Sequence, residues 1–156
     1  MIHLRPTRPE DLPFLQRVYA SSREQELKAV DWNQQQKDDF LRMQFEAQHS
    51  HYTEHFPDGD FQLVLKGDEA IGRLYVDRCS NEIRIIDIAL LPDFQGKGTG
   101  SGLLEALLDE ARQFDLPLRI HVEKFNPALR WYERLGFRQI EDKGVYLFME
   151  WTPIKV

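Results

Sequence analysis

Apolar residues along this chain change their spacing several times, and each change marks the boundary of a predicted element. Near the N-terminus the apolar positions recur at helical spacing, at Leu12, Leu15, Val18 and Tyr19. The preceding segment, residues 7–11, carries a proline and two acids, which is typical of a helix start. A looser pattern, with Phe40, Met43 and Phe45 among polar residues, predicts a second helix from about Asn33 to His55.

The spacing then changes to that of strands. Two runs, residues 61–65 and 71–76, flank Lys66-Gly67-Asp68-Glu69, which is a hairpin turn signal. A third run, Ile83 to Leu91, is rich in isoleucine and predicts a buried central strand. From Thr99 the helical period returns, with one apolar stripe at Leu103, Leu104, Leu107, Leu108 and Ala111.

The remaining sequence predicts a strand, a short helix and a hairpin. Leu118 to Glu123 is the strand, and Asn126-Pro127 has the form of an N-cap followed by proline at the first helical position. That helix is expected to end at Leu135-Gly136, because glycine suits a left-handed C-cap. Residues 137–140 and 145–151 form the closing hairpin around Asp142-Lys143-Gly144.

Each apolar helix stripe needs a sheet face to cover it, so one mixed sheet flanked by helices is the simplest packing. The element order is α-α-β-β-β-α-β-α-β-β, with room for a short strand before the first helix. No repeat, low-complexity tract or linker divides the chain. The sequence therefore predicts a single α/β domain over residues 1–156.

Composition narrows the range of partners and compartments. The 156 residues are 42% hydrophobic and carry a formal net charge of −6 without a long basic run, so no nucleic-acid partner is expected. No segment has the apolar length of a signal peptide or a membrane span, so no membrane association is expected. A single cysteine, Cys79, excludes an intrachain disulfide, and the expected location is cytoplasmic.

The segment from Leu90 to Gly102 stands between the predicted central strand and the next helix. Its glycines, at 96, 98, 100 and 102, are costly at a helix start unless the backbone has to approach a ligand closely. Unpaired N–H groups at such a terminus, with the helix dipole behind them, favour an anion such as phosphate. The strand–loop–helix context favours this anion site over a merely flexible connection.

Two common nucleotide motifs do not fit this loop. A Walker loop needs Ser or Thr directly after Lys97, and a dinucleotide fingerprint needs glycine where Ser101 or Leu103 stands. The pattern Gln/Arg-x-x-Gly-x-Gly/Ala does fit, at Gln95, Gly98 and Gly100. Together with the segment from Asn126 to Phe137, which is similar to Asn-x-x-Ala-x-x-x-Tyr-x-x-x-Gly-Phe, it makes the chain resemble the GNAT (Gcn5-related N-acetyltransferase) superfamily from about Ile2 to Trp151.

The resemblance implies a GNAT-like acyl-CoA N-acyltransferase fold with a mixed, mostly antiparallel sheet. It also implies direct transfer of an acetyl group from acetyl-CoA to a primary amine, without a metal. A backbone N–H near Leu90 would face the thioester carbonyl, and Asn126 would touch the pantetheine arm. The residues implied to hold the cofactor are Ala89, Leu90, Leu91, Gln95, Gly96, Lys97, Gly98, Thr99, Gly100, Ser101 and Asn126.

Tyr132 falls on the tyrosine of the family segment, where the hydroxyl commonly protonates the departing thiolate. The ordinary pKa of a tyrosine, ~10, lies above the ~8.5 of a thiol, so Tyr132 would be a proton donor at neutral pH. The alternative is that Tyr132 only packs, beside Ala128 and Leu135. A buried tyrosine needs a hydrogen-bond partner in either case.

Asp87 is an acid within an otherwise apolar strand, and burying a carboxylate without a partner is costly. Two roles stay open for it. Asp87 takes a proton from the acceptor ammonium, or it forms an ion pair with Arg84 or Arg119.

The histidines at 49, 51 and 55 raise the question of a metal site, because His51 and His55 share a helix face. No carboxylate or cysteine completes a ligand set, so solvated surface is favoured over a metal.

The sequence leaves the acceptor open between a small amine, an antibiotic, a peptide N-terminus and a lysine, and it leaves a homodimer open. The alternative function is a catalytically idle acyl-CoA-binding sensor on the same fold. The presence of Tyr132 and Asp87 favours the enzyme.

Overall fold

The computed structural model describes residues 1–154, and these contain seven strands and four α-helices. In chain order they are β1 (Ile2–Pro6), α1 (Leu12–Lys28), α2 (Gln34–His55), β2 (Asp60–Lys66), β3 (Glu69–Arg78), β4 (Ile83–Leu90), α3 (Thr99–Phe114), β5 (Leu118–Glu123), α4 (Leu129–Arg134), β6 (Arg138–Asp142) and β7 (Tyr146–Trp151). Short 3₁₀ turns lie at Pro9–Asp11 and Pro92–Phe94. The predicted element order is confirmed, and the short N-terminal strand is present as β1.

The strands form one mixed sheet in the order β1-β2-β3-β4-β5-β7-β6. Strands β1 and β2, β5 and β7, and β6 and β7 pair antiparallel, whereas β4 and β5 pair parallel. The predicted class, an α/β chain with a mixed sheet flanked by helices, is therefore confirmed.

The chain divides into two compact units. The first comprises Met1–Tyr75 and Ile88–Gly100, and the second comprises Val76–Asp87 and the chain from Ser101 onward. In the first unit, the helices α1 and α2 and the strands β2 and β3 contribute to the core in similar measure. Its most buried apolar side chains are Leu15, Val18, Tyr19, Phe45, Leu63, Val64, Ile71, Leu74 and Tyr75. The single domain predicted over residues 1–156 stays a prediction.

In the second unit, α3 buries all five residues of its predicted apolar stripe. The strands of the unit contribute Ile83, Ile85, Leu118, Ile120, Val122 and Met149 to the same core. Full burial of one such side chain is worth about 1.5–3 kcal/mol, so this stripe fixes α3 firmly. No helix within residues 1–154 is long and apolar enough to cross a membrane.

Strand β4 is less buried than predicted. Ile83 and Ile85 are buried, but the strand ends at Leu90 and its later residues are only half-buried. The parallel pairing with β5 covers three residues of each strand, Ile83–Ile85 with Leu118–Ile120. Because the ladder ends there, the next residues of β4, Ile86 and Asp87, have lost the neighbour that would bury them.

The helix predicted to begin at Asn126-Pro127 begins later, so the N-cap assigned to Asn126 is wrong. The N-cap of α4 is Ala128. Asn126 instead closes a turn before the helix: its Oδ1 accepts a hydrogen bond from the Ala128 N–H at 2.9 Å. One residue separates Asn126 from Ala128, where the family pattern has two. The Leu129 N–H donates to Asn126 O at 3.0 Å, so a turn precedes the helix. The predicted C-cap glycine, Gly136, is confirmed by its φ of +103°.

Candidate functional site

The loop after β4 leaves backbone N–H groups unused. Gln95 N–H donates to Pro92 O at 3.2 Å and closes the 3₁₀ turn. Gly96 and Gly98 follow with φ of +72° and +84°, a region that other L-residues rarely adopt. Within the described chain, no loop hydrogen bond is donated by the N–H groups of residues 96–98. These groups are therefore available to an anion.

The start of α3 adds to this anion site. Thr99 begins the helix, so the first N–H groups have no partner within it. The first turn carries no acidic residue, and the exposed Lys97 stands directly before it, with its Nζ 6.0 Å from the centroid of the Phe94 ring. Thr99 and Gly100 are half-buried and Ser101 is exposed. The helix dipole and the lysine together favour a negatively charged ligand here.

Two hydrogen bonds hold the end of β4 in the first unit. The Gln95 side-chain Nε2 donates to Leu90 O at 2.9 Å, and Leu91 N–H donates to Ile71 O at 2.8 Å. Gln95 thus ties the loop back to the strand that precedes it. Because the Leu91 N–H is already engaged, the backbone donor expected near Leu90 has to come from another residue of this segment.

Gly72, in β3, belongs to none of the sequence motifs described above. It is buried, and a Cβ there would overlap Ala89 O and lie 2.7 Å from Leu90 Cδ2. Only glycine lets β3 come this close to the end of β4, where the acyl arm was predicted. A glycine inside a strand of branched residues is the signal that could have indicated this approach.

Tyr132 lies in the second unit with 4% of its surface exposed. Its ring packs against Trp131 and Phe137, at 5.0 and 5.5 Å between ring centroids. Burial, followed by the negative charge of Asp87, raises the pKa of the Tyr132 hydroxyl far above its ordinary value. Among the described residues, none is in hydrogen-bond contact with that hydroxyl. The raised pKa keeps this hydroxyl protonated at neutral pH, and within residues 1–154 it lacks the hydrogen-bond partner that a buried tyrosine normally has.

The two arginines considered as partners of Asp87 have other carboxylates beside them. Arg84 Nε lies 2.8 Å from Glu82 Oε2, and Arg119 Nη1 lies 2.9 Å from Glu82 Oε1. Arg119 Nη2 also lies 2.9 Å from Glu150 Oε2. Asp87 is half-buried, and its negative charge contributes to the raised pKa of Tyr132. The structure therefore brings the two predicted catalytic residues within electrostatic range of each other.

Asn126 and the histidines of α2 are the remaining side chains considered from the sequence. Asn126 is exposed, and its Oδ1 accepts a hydrogen bond from the Ala128 N–H. Its side-chain NH₂ is therefore the group that can donate to a ligand.

On α2, the exposed imidazoles of His51 and His55 stack at 4.0 Å between ring centroids. The part of the chain that the structure describes contains no group of three or more His, Cys, Asp or Glu side chains arranged for a metal ion.

A groove of about 420 Å³ runs between α1 and α2 in the first unit. Its charged lining residues are Glu24, Lys28, Lys37 and Asp38, and its apolar ones include Leu27 and Leu41. The charges are of both signs, so the groove itself selects neither a cationic nor an anionic ligand.

Comparison with known proteins gives a match to the acetyltransferase (GNAT) family over residues 16–137. Among curated proteins, the chain is 27% identical over 84 residues to the [ribosomal protein bS18]-alanine N-acetyltransferase of Haemophilus influenzae. That match covers 53% of this chain and 58% of the relative, so the chain spans little more than half of the relative's length.

Solved structures match over nearly the full chain. The PaiA N-acetyltransferase of Thermoplasma acidophilum, in complex with coenzyme A, has a TM-score of 0.71 at 20% identity and covers 97% of this chain and 99% of its own. The ribosomal-protein-S18-alanine N-acetyltransferase of Escherichia coli has a TM-score of 0.64 at 20% identity, with 100% and 96% covered. These similarities establish a shared fold.

Proposed function

The chain belongs to the acetyltransferase (GNAT) family, and from that premise we propose that it is an N-acetyltransferase that carries an acetyl group directly from acetyl-CoA to an acceptor amine. The observation that carries this proposal is the glycine-rich start of α3. Its unpaired N–H groups, its lysine and the absence of acids in its first turn suit the pyrophosphate of coenzyme A.

The proposed cofactor contacts are those of the predicted set. Residues 95–101 hold the pyrophosphate, and Ala89, Leu90 and Leu91 line the acyl arm. In the second unit, Asn126 donates its side-chain NH₂ to the pantetheine amide. The hydrogen bond from Gln95 to Leu90 O supports this arrangement, because it holds the phosphate loop and the strand end together.

Tyr132 is proposed as the acid that protonates the departing thiolate of coenzyme A. Its hydroxyl is held neutral by burial and by Asp87, and it is not engaged by any described residue. A neutral, unengaged donor in a buried site is the state that this step requires. Asp87 is proposed as its catalytic neighbour, because its negative charge favours the protonated form of the Tyr132 hydroxyl.

Direct transfer, without an acyl-enzyme, is supported by the state of the cysteine. Cys79 is the only cysteine of the chain, and burial, with help from Asp77, raises the pKa of its thiol. Its Sγ donates to Asp77 Oδ2 at 3.4 Å. A thiol in this state is a poor nucleophile. Initial-rate plots against both substrates should therefore intersect, whereas parallel lines would indicate a covalent intermediate.

The proposed acceptor is an amine, and a peptide amine is the first class to examine. The H. influenzae relative is named for alanine acetylation on ribosomal protein bS18. A panel of alanine-terminated peptides, lysine peptides and small amines, with acetyl-CoA and detection of released thiol, tests the proposal. Turnover of at least one amine and calorimetric binding of acetyl-CoA are expected. Binding without turnover of any amine would favour the sensor function instead.

A further inference from the structure

His121 lies on β5 at the first position beyond the parallel ladder with β4. The ladder ends at Ile120, which pairs with Ile85. On its other side β5 stays paired with β7, with His121 opposite Phe148 and the two rings stacked at 4.5 Å between centroids. The imidazole is thus in contact with one neighbouring strand at the point where pairing with the other one ends.

The alternation of β5 decides which face of the sheet carries this imidazole. Leu118, Ile120 and Val122 are buried, whereas Arg119, His121 and Glu123 form the other face. By the same alternation in β4, Asp87 belongs with the buried Ile83 and Ile85. Within the second unit, the histidine and the carboxylate therefore stand on opposite faces of the sheet, just beyond the end of the ladder.

The imidazole is both accessible and unengaged. His121 is exposed, and within residues 1–154 neither of its ring nitrogens is in a hydrogen bond. The charged groups that act on it are Arg84 of β4, Lys143 of the β6–β7 turn, Glu82 and Glu141. Desolvation of the ring against Phe148, followed by Arg84 and Lys143, lowers the pKa of His121 below its ordinary value, while the two glutamates oppose this. The ring is therefore neutral at pH 7 and able to accept a proton.

We propose that His121 is the base that accepts the proton from the acceptor amine as that amine attacks the thioester. This assignment rests on the acetyl transfer proposed above. The amine nitrogen forms a bond to the carbonyl carbon, the C–S bond breaks, and its electron pair goes to sulfur. The N–H proton passes to His121, and the Tyr132 proton passes to the thiolate. Solvent then returns a proton to the tyrosine and removes one from the imidazole.

The positions of His121 and Tyr132 explain why one serves as the base and the other as the acid. In the tetrahedral intermediate the amine nitrogen and the sulfur occupy different corners, so a base and an acid that approach from different directions can act on both at once. His121 belongs to one face of the sheet, and Asp87, whose charge acts on Tyr132, belongs to the other. Asp87 then needs no direct contact with the acceptor amine.

The test uses His121→Gln, which keeps the size and polarity of the side chain but cannot titrate. His3→Gln is the matched control, because His3 is also an exposed histidine on a strand. With the amine of the panel that the wild type acetylates fastest, kcat/KM of the wild type should rise through a limb centred below the ordinary histidine pKa of ~6.5. In His121→Gln that limb should vanish and kcat should fall about 10²–10⁴-fold, with melting temperature and acetyl-CoA affinity unchanged.

A second measurement needs no turnover. In a histidine-selective NMR titration, the His121 resonance, assigned by its loss in the variant, should move when acetyl-CoA is added, and the His3 resonance should not. If the limb persists in His121→Gln but vanishes in Asp87→Asn, or if acetyl-CoA binds without moving the His121 resonance, the assignment to His121 is overturned while the transferase function stands. Failure of the wild type to bind acetyl-CoA would instead overturn both.

Discussion

The glycine loop of the first unit, residues 95–100, is built in the opposite way from the tyrosine pocket of the second, which is Tyr132 with the Trp131 and Phe137 rings packed against it. In the loop, the backbone is the functional group: Gly96 and Gly98 have positive φ, and a Cβ at either one would meet nothing within 4 Å. In the pocket, a single hydroxyl is the functional group, and packing of Trp131 and Phe137 against Tyr132 determines its state. The function of the loop should therefore be sensitive to substitutions that change the backbone conformation. The function of the pocket should be sensitive to removal of a single atom, the Tyr132 hydroxyl oxygen.

The largest effect is expected in the pocket, for Tyr132→Phe. Removal of the proton donor should lower kcat about 10²–10⁴-fold, whereas acetyl-CoA affinity should stay unchanged. Because the hydroxyl is not in a hydrogen bond with the described residues, the variant should melt at or above the wild-type temperature. Steady-state kinetics, calorimetry and thermal unfolding check the three statements. Full kcat in the variant, with chemistry limiting the wild type, would reassign Tyr132 to packing.

A smaller effect is expected in the loop, for Gly98→Val. A side chain at positive φ costs about 1–2 kcal/mol, and a branched one is worse, so acetyl-CoA should bind roughly 10–100-fold more weakly. Gly144→Val is the matched control, because Gly144 has a φ of +89° against +84° for Gly98 and equally open surroundings. The control should show the same loss of stability without the loss of binding. Equal losses of acetyl-CoA affinity in both variants would mean that backbone strain in general, and not the location of Gly98 in the loop, weakens binding.

The third effect is on stability at high pH. The Tyr132 pKa is raised in the folded state, so above the unfolded value of ~10 the unfolded chain loses this proton first. Tyr132 should therefore leave stability unchanged at neutral pH and lower it as pH rises above ~10, by about 1.4 kcal/mol per pH unit. Denaturant unfolding of wild type and Tyr132→Phe between neutral and alkaline pH measures the difference. Parallel curves would show that the hydroxyl is not desolvated.

The smallest effect separates the two causes of that raised pKa. In Asp87→Asn the charge is removed but the burial remains, and burial is the larger cause. The Tyr132 pKa should therefore fall but stay above its ordinary value. Tyrosinate absorbance, with Tyr132→Phe subtracted as the reference, reports this directly. A return to the ordinary pKa would mean that Asp87, and not burial, controls the hydroxyl.

The fold was largely predictable because its elements bury periodic apolar faces. The α3 stripe and the isoleucine run of β4 are strong signals, and both elements begin where the sequence places them. Helix α2 was also found, although Phe45 is its only buried residue among those described. Its start is fixed locally, by the capping pair in which Asn33 Oδ1 accepts from the Gln36 N–H at 2.8 Å.

The site was predictable only in its residue types. Gly98 and Tyr132 are recognisable from motifs, but nothing in the sequence indicates that the tyrosine hydroxyl is unengaged, because this depends on the packing of distant residues. The start of α4 was missed because the Asn126 side chain closes a turn before the helix and does not cap the helix itself. His121 was missed because its position at the end of the ladder exists only once β4 and β5 are paired.

Gly72 couples the substitutions that β3 can accept to those that β4 can accept, although the two strands are separated in sequence. A larger residue there would have to displace Ala89 and Leu90, so any change at this position requires a compensating change in β4. As sequences diverge, a substitution at Gly72 in β3 therefore has to be accompanied by a substitution at the end of β4. For redesign, the acyl arm cannot be reshaped from β4 alone, and libraries at Ala89 and Leu90 should be built with Gly72 kept fixed.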